Sequence, residues 1–409
     1  MSVAPRRPAV LGSRSSVLSR NPNRGLQPAA SVKPQPRPEG RGSVPLRTKN
    51  LSPVVASGAL DALPRLWRPE WRAAALIADR RVLRLHGPSI LRRLARCAPV
   101  VRVFSFPPGE RSKTREMKAA LEDRLLRARL GRDTCVVALG GGVALDLAGF
   151  VAATYLRGVP SIYVPTTLLA QIDAAVGGKT GVDVPGGKNL VGAFHFPAAV
   201  LIDPRFLRTL PPVEWRCGLA EMVKHAVIGD ARLFAVLERS ALRLRRPHAL
   251  DADLLLAALR VKLEVVRRDP FEAGLRAVLN FGHTIAHALE SASGHRVPHG
   301  LAVAVGMVVE ADVAVARGIL ARAARDRLVA LHGRLGLPTF DPTPFARLAP
   351  FLAVDKKNRA GALHVALPGA LGTAIRARRD WTGPVSLAEL RTAWNRRASS
   401  GGSAAGVPA

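Results

Sequence analysis

From about residue 73 onward, short apolar and β-branched runs alternate with stretches of helical periodicity. Residues 74–78 and 100–104 read as buried strands, and residues 112–129 as an amphipathic helix. A third strand, 134–139, runs straight into Gly140, Gly141 and Gly142 and then into a helix over 143–156. A further strand at 161–164 ends at Pro165, Thr166 and Thr167. Strands alternating with helices predict a parallel sheet covered on both faces. Beyond about residue 211 the strand signal fades, and helices rich in Ala, Leu, Val and Arg dominate to about residue 397. The pattern predicts an α/β domain over 51–210 followed by a mainly α-helical domain over 211–397, with the cleft between them as the default ligand site. No internal repeat is visible.

Composition agrees with a large buried core: 409 residues, 48% of them hydrophobic, with glycine spread evenly. No stretch approaches the uninterrupted apolar length of a membrane span, and the N-terminus lacks the apolar block of a secretory signal, so the expected address is the cytoplasm. Cys97, Cys135 and Cys217 are scattered and form no Cys-x-x-Cys pair, which reads as three buried reduced thiols. The net charge of +31 changes the picture most. The first 50 residues hold ten Lys and Arg, eight prolines and one acid, Glu39. They cannot bury enough apolar surface to offset their ordering entropy and read as a disordered basic tail, matched by a second tail over 398–409. An Arg- and Ser-rich, acid-poor tail could be an organelle transit peptide, although its prolines suit a helical signal poorly, or could hold weakly to a polyanion. A solvated tail is the preferred reading. The remaining positive charge lies across the folded body, where it would draw in an anionic substrate.

Three groups of residues carry chemistry. The strand that ends at Gly140–Gly142 lets backbone approach a ligand, and the helix behind it offers free N–H groups to a phosphate, as in Rossmann-like pyrophosphate sites. The spacing is not Gly-x-Gly-x-x-Gly, so a plain tight turn fits it as well. Asp146 follows early in that helix, as a dipole-favoured carboxylate or a partner for a sugar hydroxyl. Next comes Asp173 with two glycine-flanked lysines, Gly177-Gly178-Lys179 and Gly186-Gly187-Lys188-Asn189, the loop chemistry of an anion cradle. The third group is Glu221, His283 and His299, which supply the carboxylate and two imidazoles of an open zinc-type site if the fold assembles them. Glu221 and Lys224 share a helical face, and Asn280, His283 and His287 are spaced as one helical stripe.

Residues 140–194, GLAEMVKHA (218–226), GLRAVLNFGHTIAHALE (274–290), HGLAVAVGM (299–307) and DKKN (355–358) together resemble the 3-dehydroquinate synthase family of sugar phosphate cyclases in order, spacing and wording, over roughly residues 70–395. The resemblance implies a dehydroquinate synthase-like fold, a homodimer, NAD, and Zn2+ or Co2+ held by Glu221, His283 and His299. It places NAD along Glu110, Lys113, Gly141, Gly142, Asp146, Thr166, Thr167 and Lys188. Catalytic roles fall to Asp173, Lys179, Lys224, Asn280 and His287, and substrate contacts to Arg157, Asn189, Lys262, Arg276 and Lys356. Arg157 would reach in from the partner subunit, and Lys262 and Arg276 would hold a substrate carboxylate. The implied reaction converts 3-deoxy-D-arabino-heptulosonate 7-phosphate to 3-dehydroquinate and phosphate, in the shikimate route to aromatic amino acids. It runs by transient oxidation by NAD, phosphate elimination, reduction and aldol closure.

The chain departs from the family pattern at Leu145, where a small residue is usual, which could crowd the cofactor turn or merely repack the helix. It departs again at Asp79-Arg80-Arg81, near the expected adenosine ribose, where an acidic-Asn pattern is usual. A sibling cyclase acting on a neutral sugar phosphate would not need Arg276, whereas one acting on an amino analogue would keep it. A metal-dependent NAD alcohol dehydrogenase would have no use for so many phosphate-cradling lysines. A nucleic-acid-binding role lacks stacking aromatics and a recognised motif, and at most the basic tail binds weakly.

Overall fold

A computed structural model describes residues 53–185, 187–246, 250–353, 358–359, 362–374 and 382–400. The expected N-terminal tail, residues 401–409 and Lys356 lie outside the described residues. The first half holds β1 (Val54–Val55), α1 (Leu63–Leu66), β2 (Ala73–Asp79), α2 (Arg80–Leu94), β3 (Val100–Phe106), α3 (Arg115–Arg127), β4 (Thr134–Gly140), α4 (Gly142–Thr154), β5 (Ser161–Pro165), β6 (Lys179–Val184), β7 (Gly187–Phe194) and β8 (Ala199–Ile202). Six of these strands form one parallel sheet in the order β1-β8-β5-β4-β2-β3. Because side chains alternate along a strand, Ala73, Ala75 and Ile77 of β2 face a core shared with α3 and α4, while Ala74, Leu76 and Ala78 face a second core with α1 and α2. Both faces are thus covered, which is why the strands read as continuous apolar runs.

From β2 the chain winds outward to β3, then returns past β2 to β4 and on to β5. The winding reverses between β2 and β4, and a crevice opens beyond their C-terminal ends. Helix starts follow local chemistry. Thr114 accepts from the Met117 N–H at 3.2 Å, so α3 begins at Arg115, three residues later than the periodicity predicts. α4 stops at Thr154, short of the expected 156, because Leu156 and Arg157 take left-handed backbone with φ of 49° and 70°.

The second half holds α5 (Pro212–Gly229), α6 (Ala231–Leu244), α7 (Ala252–Arg268), α8 (His283–Ala292), α9 (His299–Ala316), α10 (Arg322–Leu335), α11 (Phe345–Ala353), β9 (Asn358–Arg359), β10 (Ala362–Val365), β11 (Gly383–Val385) and α12 (Leu387–Ser400). α9 is long and apolar enough to cross a membrane by composition, yet 83% of it is buried as the central helix of this region. One expectation needs correction. The glycine- and lysine-rich segment after Asp173 is not irregular loop: β6 and β7 pair as an antiparallel hairpin, with Gly181 opposite Gly192. The second half is mainly helical, as expected, and also carries a small sheet of β9, β10 and β11. The thiols are free, with Cys135 and Cys217 buried but Cys97 only half-buried.

Candidate active site

Glu221 is set in the middle of α5, His283 opens α8 and His299 opens α9. Two close backbone approaches and one buried carboxylate bring them together. A methyl group on Gly300 would lie 2.3 Å from the Cys217 Cα, so α9 touches α5 one turn before Glu221. A methyl on Gly306 would lie 1.9 Å from the Gly282 carbonyl oxygen, so α9 also touches the start of α8. Glu310 of α9 then accepts from the Gly282 and Thr284 N–H groups at 2.6 and 3.2 Å, capping α8 with a buried carboxylate.

The result places Glu221 Oε1 3.5 Å from Nε2 of both His283 and His299, and the three ligand atoms lie within 4.8 Å of one another. Each imidazole has an acceptor at its other nitrogen: the Phe281 carbonyl 3.2 Å from His283 Nδ1, and Glu290 Oε2 3.2 Å from His299 Nδ1. An acceptor there keeps the proton on Nδ1 and turns the Nε2 lone pair inward, the arrangement found behind metal-ligating histidines. Two imidazoles and one carboxylate fit a Zn2+ or Co2+ site with an open position. Burial would lower the basicity of His299, but its bonds to Glu221 and Glu290 outweigh this and raise its pKa to about 10 in the metal-free protein.

Beside the trio stands a buried cluster of opposite charges. Lys224 pairs with Glu221, one turn away, and with Asp173 at 3.0 Å. Lys262 pairs with the other oxygen, Asp173 Oδ1, and His225 Nε2 lies 3.3 Å from the Oδ2 that Lys224 meets. Burial alone would raise the Asp173 carboxyl; Lys224 and Lys262 hold it well below the usual carboxylate range. The Lys262 ammonium is also lowered, to about 8, because its own burial is reinforced by Arg276 and Lys224 against the pull of Asp173. Asp173, Glu221 and His225 also lie close enough to suggest a second metal group, but the two ammonium groups already neutralise its carboxylates. Arg276 is 2% exposed; its Nη1 donates to the Gly177 and Pro270 carbonyls at 3.0 and 2.6 Å, while its buried Nε meets no partner. Lys179, at the start of β6, is half-exposed and bonds Glu272 at 2.5 Å.

His287 and His299 line one end of a cavity of about 700 Å³, and Gly141, Gly142, Thr166 and Thr167 line another part of it. Gly140, at φ 153°, turns the chain out of β4. Lys113, 4% exposed, bonds Asp146 at 2.6 Å and the Asn189 side-chain oxygen at 2.5 Å. Lys188 bonds Glu290 at 2.9 Å and lies 3.5 Å from Glu110. A glycine turn with free helix N–H groups and flanking lysines fits a dinucleotide pyrophosphate, and the volume is that of a small-molecule site.

Several expectations are adjusted by this geometry. Asn280 does not share a helical stripe with His283 and His287, because it ends a 3-10 turn (Leu275–Asn280) and Gly282, at φ 82°, separates it from α8. Asp146 does not stand alone as a dipole-favoured carboxylate but is claimed by Lys113. Asn189 turns to Lys113, within the dinucleotide part of the site. Arg157 sits on an exposed turn outside the cavity wall. Leu145 is buried in the main core while Val143, Ala144 and Asp146 line the cavity, so it repacks the helix and leaves the turn open. Sequence reasoning missed Glu290, Glu310, His225 and Glu272. Glu290 was detectable, three residues past His287 on the same face; the others act across elements and leave no local signal.

A family model described as 3-dehydroquinate synthase N-terminal matches residues 103–217, and one described as 3-dehydroquinate synthase C-terminal matches 218–358. A 3-dehydroquinate synthase from Symbiobacterium thermophilum is 46% identical over 320 residues, 77% of this chain and 89% of that protein. One from Nostoc sp. is 42% identical over 345 residues, 81% of this chain and 93% of that protein. Among solved structures, 2-epi-5-epi-valiolone synthase from Streptomyces hygroscopicus, with NAD+ and Zn2+ bound, superposes with a TM-score of 0.76 at 30% identity, covering 86% of this chain and 97% of its own. A 2-deoxy-scyllo-inosose synthase complexed with carbaglucose-6-phosphate, NAD+ and Co2+ gives 0.77 at 25% identity, covering 84% and 96%. Both halves of the sheet-and-helix architecture and the full run of chemical motifs fall within these matches, and the chain belongs to the 3-dehydroquinate synthase family.

Proposed function

We infer that this chain is a 3-dehydroquinate synthase, a carbon-oxygen lyase that converts 3-deoxy-D-arabino-heptulosonate 7-phosphate to 3-dehydroquinate and inorganic phosphate in the shikimate pathway. The observation that carries the reading is the convergence of Glu221 and the Nε2 atoms of His283 and His299 beside a cavity that also reaches the Gly140–Gly142 turn. When bound, NAD would take and return a hydride while Zn2+ or Co2+ polarises the oxygen being oxidised, so that no net oxidation accompanies loss of phosphate and ring closure.

The chain's own residues would act as follows. Glu221, His283 and His299 hold the ion. Glu110, Lys113, Gly141, Gly142, Asp146, Thr166, Thr167 and Lys188 hold the dinucleotide. Lys179, Asn280, His287 and Lys356 cradle the departing phosphate, while Asn189 turns to Lys113 on the dinucleotide side, and a cationic surround lowers the cost of the charge the phosphate carries away. Arg276 and Lys262 clamp the substrate carboxylate; the buried, partnerless Nε of Arg276 supports a binding role for that side chain. Asp173 fixes Lys224 and Lys262 in place. A neutral sugar phosphate would leave the buried Nε of Arg276 without an acceptor, which favours a substrate that carries a carboxylate. The division into residues 51–210 for the dinucleotide and 211–397 for metal and substrate follows the same reading. So do a cytoplasmic homodimer with Arg157 reaching the partner's site, and no nucleic acid beyond weak contact by the basic tail.

The test is phosphate release from the heptulosonate phosphate by purified protein with catalytic NAD, with and without chelator. Multiple turnovers that stop with chelator and leave no NADH are expected. No release with metal and NAD present moves the assignment to a sibling cyclase with another phosphorylated substrate.

A further inference from the structure

β2 and β4 lie side by side and in parallel register, Ala78 beside Leu139, at the point where the winding of the sheet reverses. β4 delivers the glycine turn. In dinucleotide folds the end of a neighbouring strand meets the adenosine ribose: a carboxylate there takes the 2′-hydroxyl, and an arginine accommodates a 2′-phosphate. Here β2 ends in Asp79, whose Oδ2 lies 3.9 Å from the place a Cβ on Gly140 would occupy. Its Oδ1 is already engaged, accepting from the Val82 N–H at 2.8 Å.

Two residues on, Arg81 lines the same cavity as Asp79, Val82 and His86. It is exposed at the mouth and makes no ion pair among the described residues. Its charge acts across the cavity on Glu214: burial and Glu110 raise that carboxyl, and Arg81 opposes them. A neutral ribose hydroxyl needs no guanidinium. A ribose phosphate facing Asp79 alone would be repelled, whereas a planar forked donor beside it matches the phosphate in charge and geometry.

We propose that Arg81 makes the ribose end of this cavity accept the 2′-phosphorylated dinucleotide, NADP, as well as NAD. The proposal rests on the dinucleotide reading above and extends it to specificity. The test is calorimetric titration of the full-length, metal-loaded protein, freed of nucleotide, with NAD and with NADP, for the wild type and Arg81→Asn. Wild-type dissociation constants for the two nucleotides within about tenfold of each other are expected. Arg81→Asn should then weaken NADP by about tenfold or more and NAD by less than about threefold. A purely structural role for Arg81 would move both together, and that result overturns the proposal. So does tight NAD with NADP weaker by about a hundredfold in the wild type. Binding of neither nucleotide overturns the dinucleotide reading itself, and this inference with it.

Discussion

Replacing Gly306 with Ala tests how the metal ligands are held. The added methyl carbon would lie 1.9 Å from the Gly282 carbonyl oxygen and 2.8 Å from its carbon, where 3.0 Å is the shortest distance a real Cβ shows. The obstacle is backbone, so no rotamer change relieves it, and α8 and α9 must separate by about 1 Å or more. His283 is the residue directly after Gly282, and His299 is on the other helix. Their Nε2 atoms would therefore move relative to Glu221 by several times the roughly 0.2 Å tolerance of a metal–ligand bond. The expected costs are about 1–3 kcal/mol of stability from overpacking and roughly a hundredfold in zinc affinity, comparable to losing an outer-shell partner. Gly333→Ala is the matched control, since a methyl there meets nothing within 4 Å in α10; it should be neutral or stabilising by up to about 1 kcal/mol. Zinc competition against a chelating dye, together with urea unfolding of the metal-free proteins, separates the two effects. A folded Gly306→Ala protein with wild-type zinc affinity would refute the idea that the α8–α9 contact sets the ligand geometry.

Two further outcomes follow from the charges around the site. His299, raised to about 10 in the metal-free protein, contributes stability that is fully present below its unfolded value near 6.5 and is lost as pH rises through 10. The difference in unfolding free energy between metal-free wild type and His299→Gln should therefore shrink across that window, and a gap that grows with pH contradicts the assignment. Asp173→Asn leaves Lys224 and Lys262 buried without their shared counter-ion and should cost about 3–5 kcal/mol in urea unfolding; a change below about 1 kcal/mol would mean that Glu221 alone suffices to hold Lys224.

How much of this was legible in the chain depends on the range of the interaction. Strands β2, β4 and β5 are readable because they lie inside the sheet, buried on both faces and apolar at nearly every position, whereas β3, which reads as a buried strand, stands at the sheet edge and exposes Arg102 and Val103. Helix ends lie two or three residues from where periodicity puts them, since Thr114 and the left-handed pair Leu156 and Arg157 act through local geometry that periodicity does not carry. The β6–β7 hairpin reads as loop because its glycines look like turn residues. Gly192 is needed instead for cross-strand approach, its added methyl falling 2.0 Å from the Thr180 carbonyl oxygen.

The sequence by itself determined the α/β-then-helical order, the family and which residues are the candidates for the metal, dinucleotide and anion roles, because chemical type and motif spacing are properties of the chain. Only the tertiary structure decided that His283 and His299, sixteen residues apart and on different helices, direct their Nε2 atoms to one oxygen of Glu221. It also decided that Glu290 joins His299 to Lys188, that Glu310 caps the helix His283 opens, and that Arg81 stands in the wall of the cavity. These contacts depend on close packing between helices and strands far apart in the chain. Hydrogen bonds and ion pairs act over a few ångströms in space, and no local pattern records which distant residues will come within that reach.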